Sequence, residues 1–390
     1  MTMATKNEIF HRFLPEYFKA PKARKSAILH SVCETTRLHR KAAIRKFKDL
    51  QMRDPWRASP RRGRPRLYTP AVIAVLKFVW NVSSDLCGEL LHPVIPEYVS
   101  TLHNHPMWRF GTHATHALLA MSEGSVKAYV STFSKFRKKR TGLSGTKPSA
   151  LKEIIPISTG PWGDKPPGYG QVDTVVHCGS SLLGDLVYTV NYTDIATHWT
   201  IPLAQWNKGQ QATSRSLARI QKTLPFPLLG LHPDTGSEFI NWFVKDWADR
   251  ERVELTRSRP YHKNDNAYVE QKNGHVVRRF VGYARMERRE LVPLLNAFYE
   301  TLTLYLNHFV PTRKCVEKIR IGSRYKRRYD TATTPYRRIV AHPDIATSVK
   351  ETLHKVHQTL NPLILKQKLD TLHKRLFTAI KDYANHSSFR

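Results

Sequence analysis

Between residues 170 and 257 the order of strand-like and helix-like segments leaves few folds open. Three β-rich segments, 170–178, 186–196 and 198–205, follow one another through short turns around 179–184 and Thr197, which predicts an antiparallel meander. A helical segment at 209–223 leads to an apolar strand at 228–232, a helix at 237–252 and a last strand at 253–257. The order βββαβαβ with a closing helix predicts a mixed sheet covered by helices.

Three acidic residues occupy telling places in that pattern. Asp173 lies inside the first strand, in Gly-Gln-Val-Asp-Thr-Val-Val, where a carboxylate is out of place unless it faces a site or a partner. Asp234 follows the carboxyl end of the apolar strand, the edge at which open sheets place ligands. Glu270 stands early in a helix, one turn from Asn266 and Asn273 on the same face. Carboxylates on two strands and a helix suit a pair of Mg²⁺ ions, which prefer oxygen ligands and keep positions open for phosphate and water. Two such ions ~3.5–4 Å apart serve an in-line displacement at phosphorus and make a covalent protein nucleophile unnecessary. Singly, each acid has a plainer reading: a paired strand Asp, a turn Asp before Thr-Gly, a solvated helix Glu. Of the neighbouring acids, Asp194 reads as the turn from the second strand to the third, Glu238 as a cap for the following helix, and Asp265 as a supporting loop residue.

Charge sets the partner. The chain holds 63 Lys plus Arg against 31 Asp plus Glu, a formal charge of +32, and such self-repulsion calls for a polyanion, with nucleic acid favoured over a membrane surface. The longest apolar stretch, 71–80, is about half the ~20 residues a spanning helix needs and contains Lys77, so no membrane span is expected. Residues 1–10 lack the pattern of a secretory signal, which implies a protein that stays where it is made. Cys33, Cys87, Cys178 and Cys315 lie too far apart for a disulfide framework or a Cys-based zinc site.

The flanks read as DNA-binding. In 20–58, helices at 26–36 and 39–50 meet at a corner over 36–38, the layout of a helix-turn-helix, with Arg40, Lys41, Arg45 and Lys46 on the polar face of the second. The range 59–140 is a second helical unit, with helices at 70–80 and 126–137, and it begins with the extended run Pro60 to Arg66. There Arg62, Arg64 and Arg66 suit a narrow minor groove as well as a solvated linker. Residues 141–166 read as a linker and 167–286 as the catalytic core. In the loop 261–266, Lys263 and Asn266, with His262 third, are candidates for holding phosphate or flanking bases, against the plain alternative of a solvated loop. The range 287–343 is a helix followed by a basic, turn-rich stretch in which Arg324, Lys326, Arg327 and Arg328 are expected to bind the DNA backbone in a salt-sensitive way. Residues 344–390 form a helical hairpin broken at Asn361-Pro362.

These residues resemble a known family. Thirty-five residues separate Asp234 from Glu270, the spacing of the retroviral integrase core and of bacterial insertion-sequence transposases that share it. The likeness runs through Gly-Gln-Val-Asp (170–173), Asp-Thr-Gly-Ser-Glu-Phe (234–239) and Arg-Pro-Tyr-His-Lys-Asn-Asp-Asn-Ala-Tyr-Val-Glu-Gln-Lys-Asn (259–273). The resemblance implies a multidomain chain of helix-turn-helix units around a ribonuclease H-like catalytic core, with Asp173, Asp234 and Glu270 as its Asp-Asp-Glu triad. It further implies two Mg²⁺ ions, for which Mn²⁺ substitutes, and strand transfer in which a freed 3′-hydroxyl attacks target DNA. Element ends and target as partners, self-association on DNA as a dimer or higher, and a bacterial, nucleoid-associated location complete the expectation. Two departures stand out: Thr235 follows Asp234 where many such cores have Asn, and His103, His105, His113 and His116 cluster without cysteines, so no zinc is expected. A metal-dependent nuclease that does not join strands, and a DNA-binding regulator descended from a transposase, are the alternatives.

Overall fold

A computed structural model of the chain describes residues 1–52, 67–133, 155–156, 158, 165–259 and 267–387. The chain divides into two compact units, Met1–Leu67 and Tyr68–Arg390.

The first unit holds α1 (Met3–Lys19), α2 (Lys22–Thr36) and α3 (Arg40–Met52). Phe10, Ile28, Leu29, Val32, Ala43 and Phe47 form its core, with the Tyr17 and Phe47 rings stacked at 4.1 Å. Arg37 ends α2 in the left-handed region (φ 53°), so the chain turns into α3 at the corner expected from the sequence. The helix α1 has no counterpart in the expected pair; it supplies Phe10 and Tyr17, without which Phe47 would be uncovered.

In the second unit, α4 (Pro70–Val82) opens on a proline suited to the first turn and buries Val72, Val75, Leu76, Val79 and Val82 at three- and four-residue steps. Short helices α5 (Gly88–Leu91), α6 (Ile95–Leu102) and α7 (Thr112–Leu119) lead to α8 (Glu123–Phe133). The sheet follows as β1 (Tyr169–Val176), β2 (Val187–Asp194), β3 (Thr200–Trp206), α9 (Gln210–Thr223), β4 (Gly230–Pro233), α10 (Trp242–Arg250) and β5 (Glu254–Leu255). Its strand order is β3-β2-β1-β4-β5, antiparallel from β1 to β3 and parallel from β1 through β4 to β5. This is the mixed sheet that the segment order predicts.

After α11 (Ala267–Lys272) and its π-type continuation over Asn273–Arg278 come α12 (Leu291–Phe309), the hairpin β6 (Cys315–Ile321) and β7 (Arg324–Tyr329), α13 (Pro335–Ala341), α14 (Thr347–Thr359) and α15 (Pro362–Ser387). The helix α12 is apolar on nearly every side and therefore central. It buries Leu295, Phe298, Tyr299, Leu302, Tyr305 and Phe309 in a core shared with α4 to α8, α15 and one face of the sheet. Its Asn296 exchanges hydrogen bonds with both N–H and C=O of Ala204, and Asn307 does the same with Thr200. Four backbone groups of edge strand β3 are thereby satisfied by side chains in place of a further strand. The opposite sheet face packs on α9, α10, α13 and α14. The two helices read as a C-terminal hairpin thus join different cores, α14 through Leu353 and α15 through Leu363, Leu365, Leu369 and Leu376.

Two segments differ from expectation. The stretch read as basic and turn-rich contains β6, β7 and α13; the ribbon is exposed on both faces, and its alternation, as in Lys318–Ile321, is too short among so many charges to mark a strand. The helix read from 237 begins at Trp242, where the Asn241 side chain accepts from the Val244 N–H. The basic run with Arg62, Arg64 and Arg66, and the loop with His262, Lys263, Asp265 and Asn266, lie outside the described residues.

Candidate active site

Register brings the first two acids together. β1 runs parallel to β4 with Val172 opposite Pro233, so the next residue on each, Asp173 and Asp234, emerges at neighbouring positions at the carboxyl edge of β4. Asp173 Oδ1 accepts from the Thr174 N–H at 2.7 Å, and Asp234 Oδ1 accepts from the Gly236 N–H at 2.9 Å. Burial, and after it the charge of Asp234, raise the Asp173 carboxyl to about 8, against the lowering effect of its two hydrogen bonds. Gly170, earlier on the same strand, is required by packing: a Cβ there would enter the ring of buried Tyr192.

The helix α11 is laid along β1 by two side chains of the same strand face. Gln171 Oε1 accepts from the N–H groups of Tyr268 (3.0 Å) and Val269 (3.3 Å), pinning the first turn. Further along the same helix, Asn273 Nδ2 donates to Asp173 Oδ2 at 2.6 Å, while its own Oδ1 accepts from Asn191 Nδ2 at 2.9 Å. Asn191 is the β2 partner of Asp173, so strand register fixes Asn273, and Asn273 fixes the carboxylate. Glu270 is exposed on α11, one helical turn before Asn273. Among the described residues no three His, Cys, Asp or Glu side chains converge closely enough to hold a metal ion as they stand. The structure unites Asp173 with Asp234 and puts Glu270 on the adjoining helix.

A further acid belongs to the site. Glu238 does not cap α10, which Asn241 does; the Glu238 side chain is 5% exposed and turns inward. Its Oε1 accepts from the Thr174 hydroxyl at 3.0 Å, whereas Oε2 is buried without a hydrogen-bond partner among the described residues. Glu238 Oε2 and Asp234 Oδ1 both lie within 3 Å of the point where a Cβ on Gly236 would stand, at 2.7 and 2.9 Å. Glycine at 236 leaves that point open. The sequence signal for Glu238 is its place four residues after Asp234, in the same turn. Asp194, by contrast, performs the turn role read for it, accepting from Gly168 N–H, Thr197 N–H and the Thr197 hydroxyl.

Basic groups gather beyond α11. Burial, then Arg338, lower the Lys272 amine to about 8, and burial, then Lys272, Arg338 and Lys314, hold His198 neutral. Of the expected DNA contacts, Arg40, Lys41 and Arg45 are exposed, while Lys46 is tied to Asn7 Oδ1 at 2.5 Å and lies over the Phe10 ring. Arg324, Lys326, Arg327 and Arg328 are all exposed on β7.

No protein-family model matches the chain. Over 345 residues it is 36% identical to the uncharacterized protein y4rM of Sinorhizobium fredii (strain NBRC 101917 / NGR234), covering 87% of this chain and 96% of that protein. Among solved structures, the catalytic core domain of HTLV-2 integrase, in complex with magnesium and in dimeric form, matches at 14% identity and a TM-score of 0.29. It covers 37% of this chain and 90% of that one, and the superposition is too loose to bear on fold or function.

Proposed function

The chain belongs to the family of protein y4rM of Sinorhizobium fredii, and from its site geometry we propose that it is a metal-dependent transposase that cuts the ends of a mobile DNA element and joins them to target DNA. The observation that carries this reading is the pairing of Asp173 and Asp234 by strand register at the carboxyl edge of the sheet, with the Glu270 helix fastened to the same strand through Gln171 and Asn273.

The residues fit a divalent cation. Two carboxyl groups lie side by side, Asp173 raised to about 8 by burial and by the charge of Asp234, and a buried Glu238 oxygen has no hydrogen-bond partner among the described residues; a cation bound between them would relieve this crowding of acids. Asp173, Asp234 and Glu270 would hold it, with Glu238 behind them. The chemistry supplied by a bound pair of Mg²⁺ ions is activation of the attacking oxygen and stabilisation of the leaving oxygen at phosphorus. Asn273 and Thr174 fix the direction of the Asp173 lone pairs, as outer hydrogen bonds do for metal-holding carboxylates. In the transfer step a 3′-hydroxyl oxygen forms the new P–O bond as the bond to the departing 3′-oxygen breaks; the attacking hydroxyl gives its proton to solvent and the departing oxygen takes one from solvent, leaving as a 3′-hydroxyl. The excess of 63 basic over 31 acidic residues supplies countercharge for two DNA segments held at once, and joining two ends calls for self-association on DNA. Among the described residues no helix is long and apolar enough to cross a membrane.

The test is incubation of the purified chain with labelled duplexes that tile the DNA bordering its gene, a target plasmid and Mg²⁺. Joined product, lost in Asp173→Asn, Asp234→Asn and Glu270→Gln, is the expected result. Cleavage without joining would make the protein a nuclease, and a mobility shift with neither would make it a regulator.

A further inference from the structure

The hairpin β6–β7 has no core of its own. Every residue of both strands is exposed, and among the described residues it is tied down at its base, where Thr312 pairs with Thr333 and Asp330 accepts from the Lys314 N–H and from Arg338. A lone two-stranded ribbon is marginal in water, so something must cover this one for its order to be worth keeping. Residues 315–329 carry six Lys or Arg and one Glu. That charge opposes pairing with a second copy and favours a polyanion.

The two faces of the ribbon differ. Residues directly opposite share a face, so Ile319, Ile321, Arg324 and Lys326 lie together, joined at the base by the Glu317–Arg328 ion pair. Lys318, Arg320, Tyr325 and Arg327 lie on the other, where Lys318 sits 4.5 Å from the centre of the Tyr325 ring. Backbone phosphate contacts need only the cations. Ile319 at 47% and Ile321 at 61% exposure have no part in such contacts, yet they interleave with Arg324 and Lys326.

Resting on the reading of this protein as one that acts on DNA, we propose that the β6–β7 ribbon enters the DNA major groove and turns its Ile319, Ile321, Arg324 and Lys326 face toward the base edges. A major groove about 12 Å wide admits a two-stranded ribbon, and the seven residues of β6 would reach about 24 Å along it. Arg and Lys match the two acceptors of guanine, and aliphatic side chains match the thymine methyl. The cations of the opposite face then reach the phosphates along the groove walls.

Metal-free binding to duplexes that tile the DNA bordering the gene, followed by work on the tightest-bound one, tests this, with the full chain and two double variants, Arg324→Gln with Lys326→Gln and Lys318→Gln with Arg327→Gln. All four side chains are exposed, and unchanged thermal melting checks that each variant folds. For the unaltered chain, methylation of guanine N7 should weaken binding at a short run of positions. The first variant should bind this duplex about tenfold or more weakly, lose its preference over scrambled duplex and lose the N7 signal. The second should keep the N7 signal, while its plot of log affinity against log salt flattens by about 0.9 in slope for each phosphate it no longer neutralises. Absence of N7 interference, or equal effects of both variants on all sequences, would reduce the ribbon to a backbone clamp and overturn the proposal. Unchanged DNA affinity with altered sedimentation would make it a contact between copies and overturn it too. Every readout is binding without metal, so failure here counts against the ribbon, whereas absent strand transfer with an intact N7 footprint counts against the carboxylate site.

Discussion

Asp234→Asn should make the metal-free protein more stable while destroying its activity. The substitution keeps the oxygen that accepts from the Gly236 N–H and removes a negative charge beside Asp173. Asp173 is raised first by burial and next by Asp234, to about 8 from an ordinary 3.8. A carboxyl whose pKa is higher folded than unfolded holds its proton more tightly in the folded state. Its effect on stability is therefore nil below the ordinary value and grows more unfavourable as pH rises from about 4 to about 8. Each pKa unit is worth about 1.4 kcal/mol. With burial taking the largest share, relief of the Asp234 part is on the order of 1–2 kcal/mol, a Tm gain of about 1.5–3 °C for a unit the size of Tyr68–Arg390. Thermal melting in EDTA at pH 5 and pH 8.5 reads it: the two proteins should coincide more closely at pH 5, and the variant should melt higher at pH 8.5. Saturating Mg²⁺ should reverse the order, since a ligand at a hundred times its Kd adds about 2.7 kcal/mol to the protein that binds it. A variant no more stable than the parent at pH 8.5 without metal would refute the reasoning, because the two charges would then not bear on each other.

Glu238→Gln keeps an acceptor for the Thr174 hydroxyl and removes the charge on the orphaned oxygen; the half-saturating Mg²⁺ concentration for thermal stabilisation should rise about tenfold, with metal-free melting unchanged or higher. Asn273→Ala frees Asp173 Oδ2 and should cut single-turnover transfer about 10- to 100-fold while DNA binding persists, a split that mobility shift and product assays separate. Asn307→Ala orphans the N–H and C=O of Thr200 at a buried sheet edge and should cost about 2–3 kcal/mol in denaturant unfolding; a loss below about 0.5 kcal/mol would mean that water replaces the side chain there.

Much of the sheet was legible because alternation and β-rich runs report burial, and β1, β2 and β3 are buried along most of their length. The pairing of Asp173 with Asp234 was readable as position, one in a strand and one at a strand end, but the register that makes them neighbours arises only from the β1–β4 pairing. Glu238 was misread because an acid shortly before a helix resembles a cap; the turn Asp234–Gly236 redirects it inward and leaves capping to Asn241. Asn296 and Asn307 look like polar lapses on an apolar helix, and their use as substitutes for a neighbouring strand depends on an edge that periodicity does not describe. The ribbon β6–β7 escaped notice for the converse reason: both faces lie in water, so the short alternation of Lys318–Ile321 reports no burial and is outweighed by the surrounding charge.

The central claim is that Asp173, Asp234 and Glu270 together hold the divalent ions. Electron paramagnetic resonance of Mn²⁺ titrated into the DNA-bound protein counts those ions directly. The account predicts two bound per active site in the parent, and loss of both in Asp173→Asn and of at least one in Glu270→Gln. Equal Mn²⁺ occupancy in the parent and all three carboxylate variants, Asp234→Asn included, would contradict it.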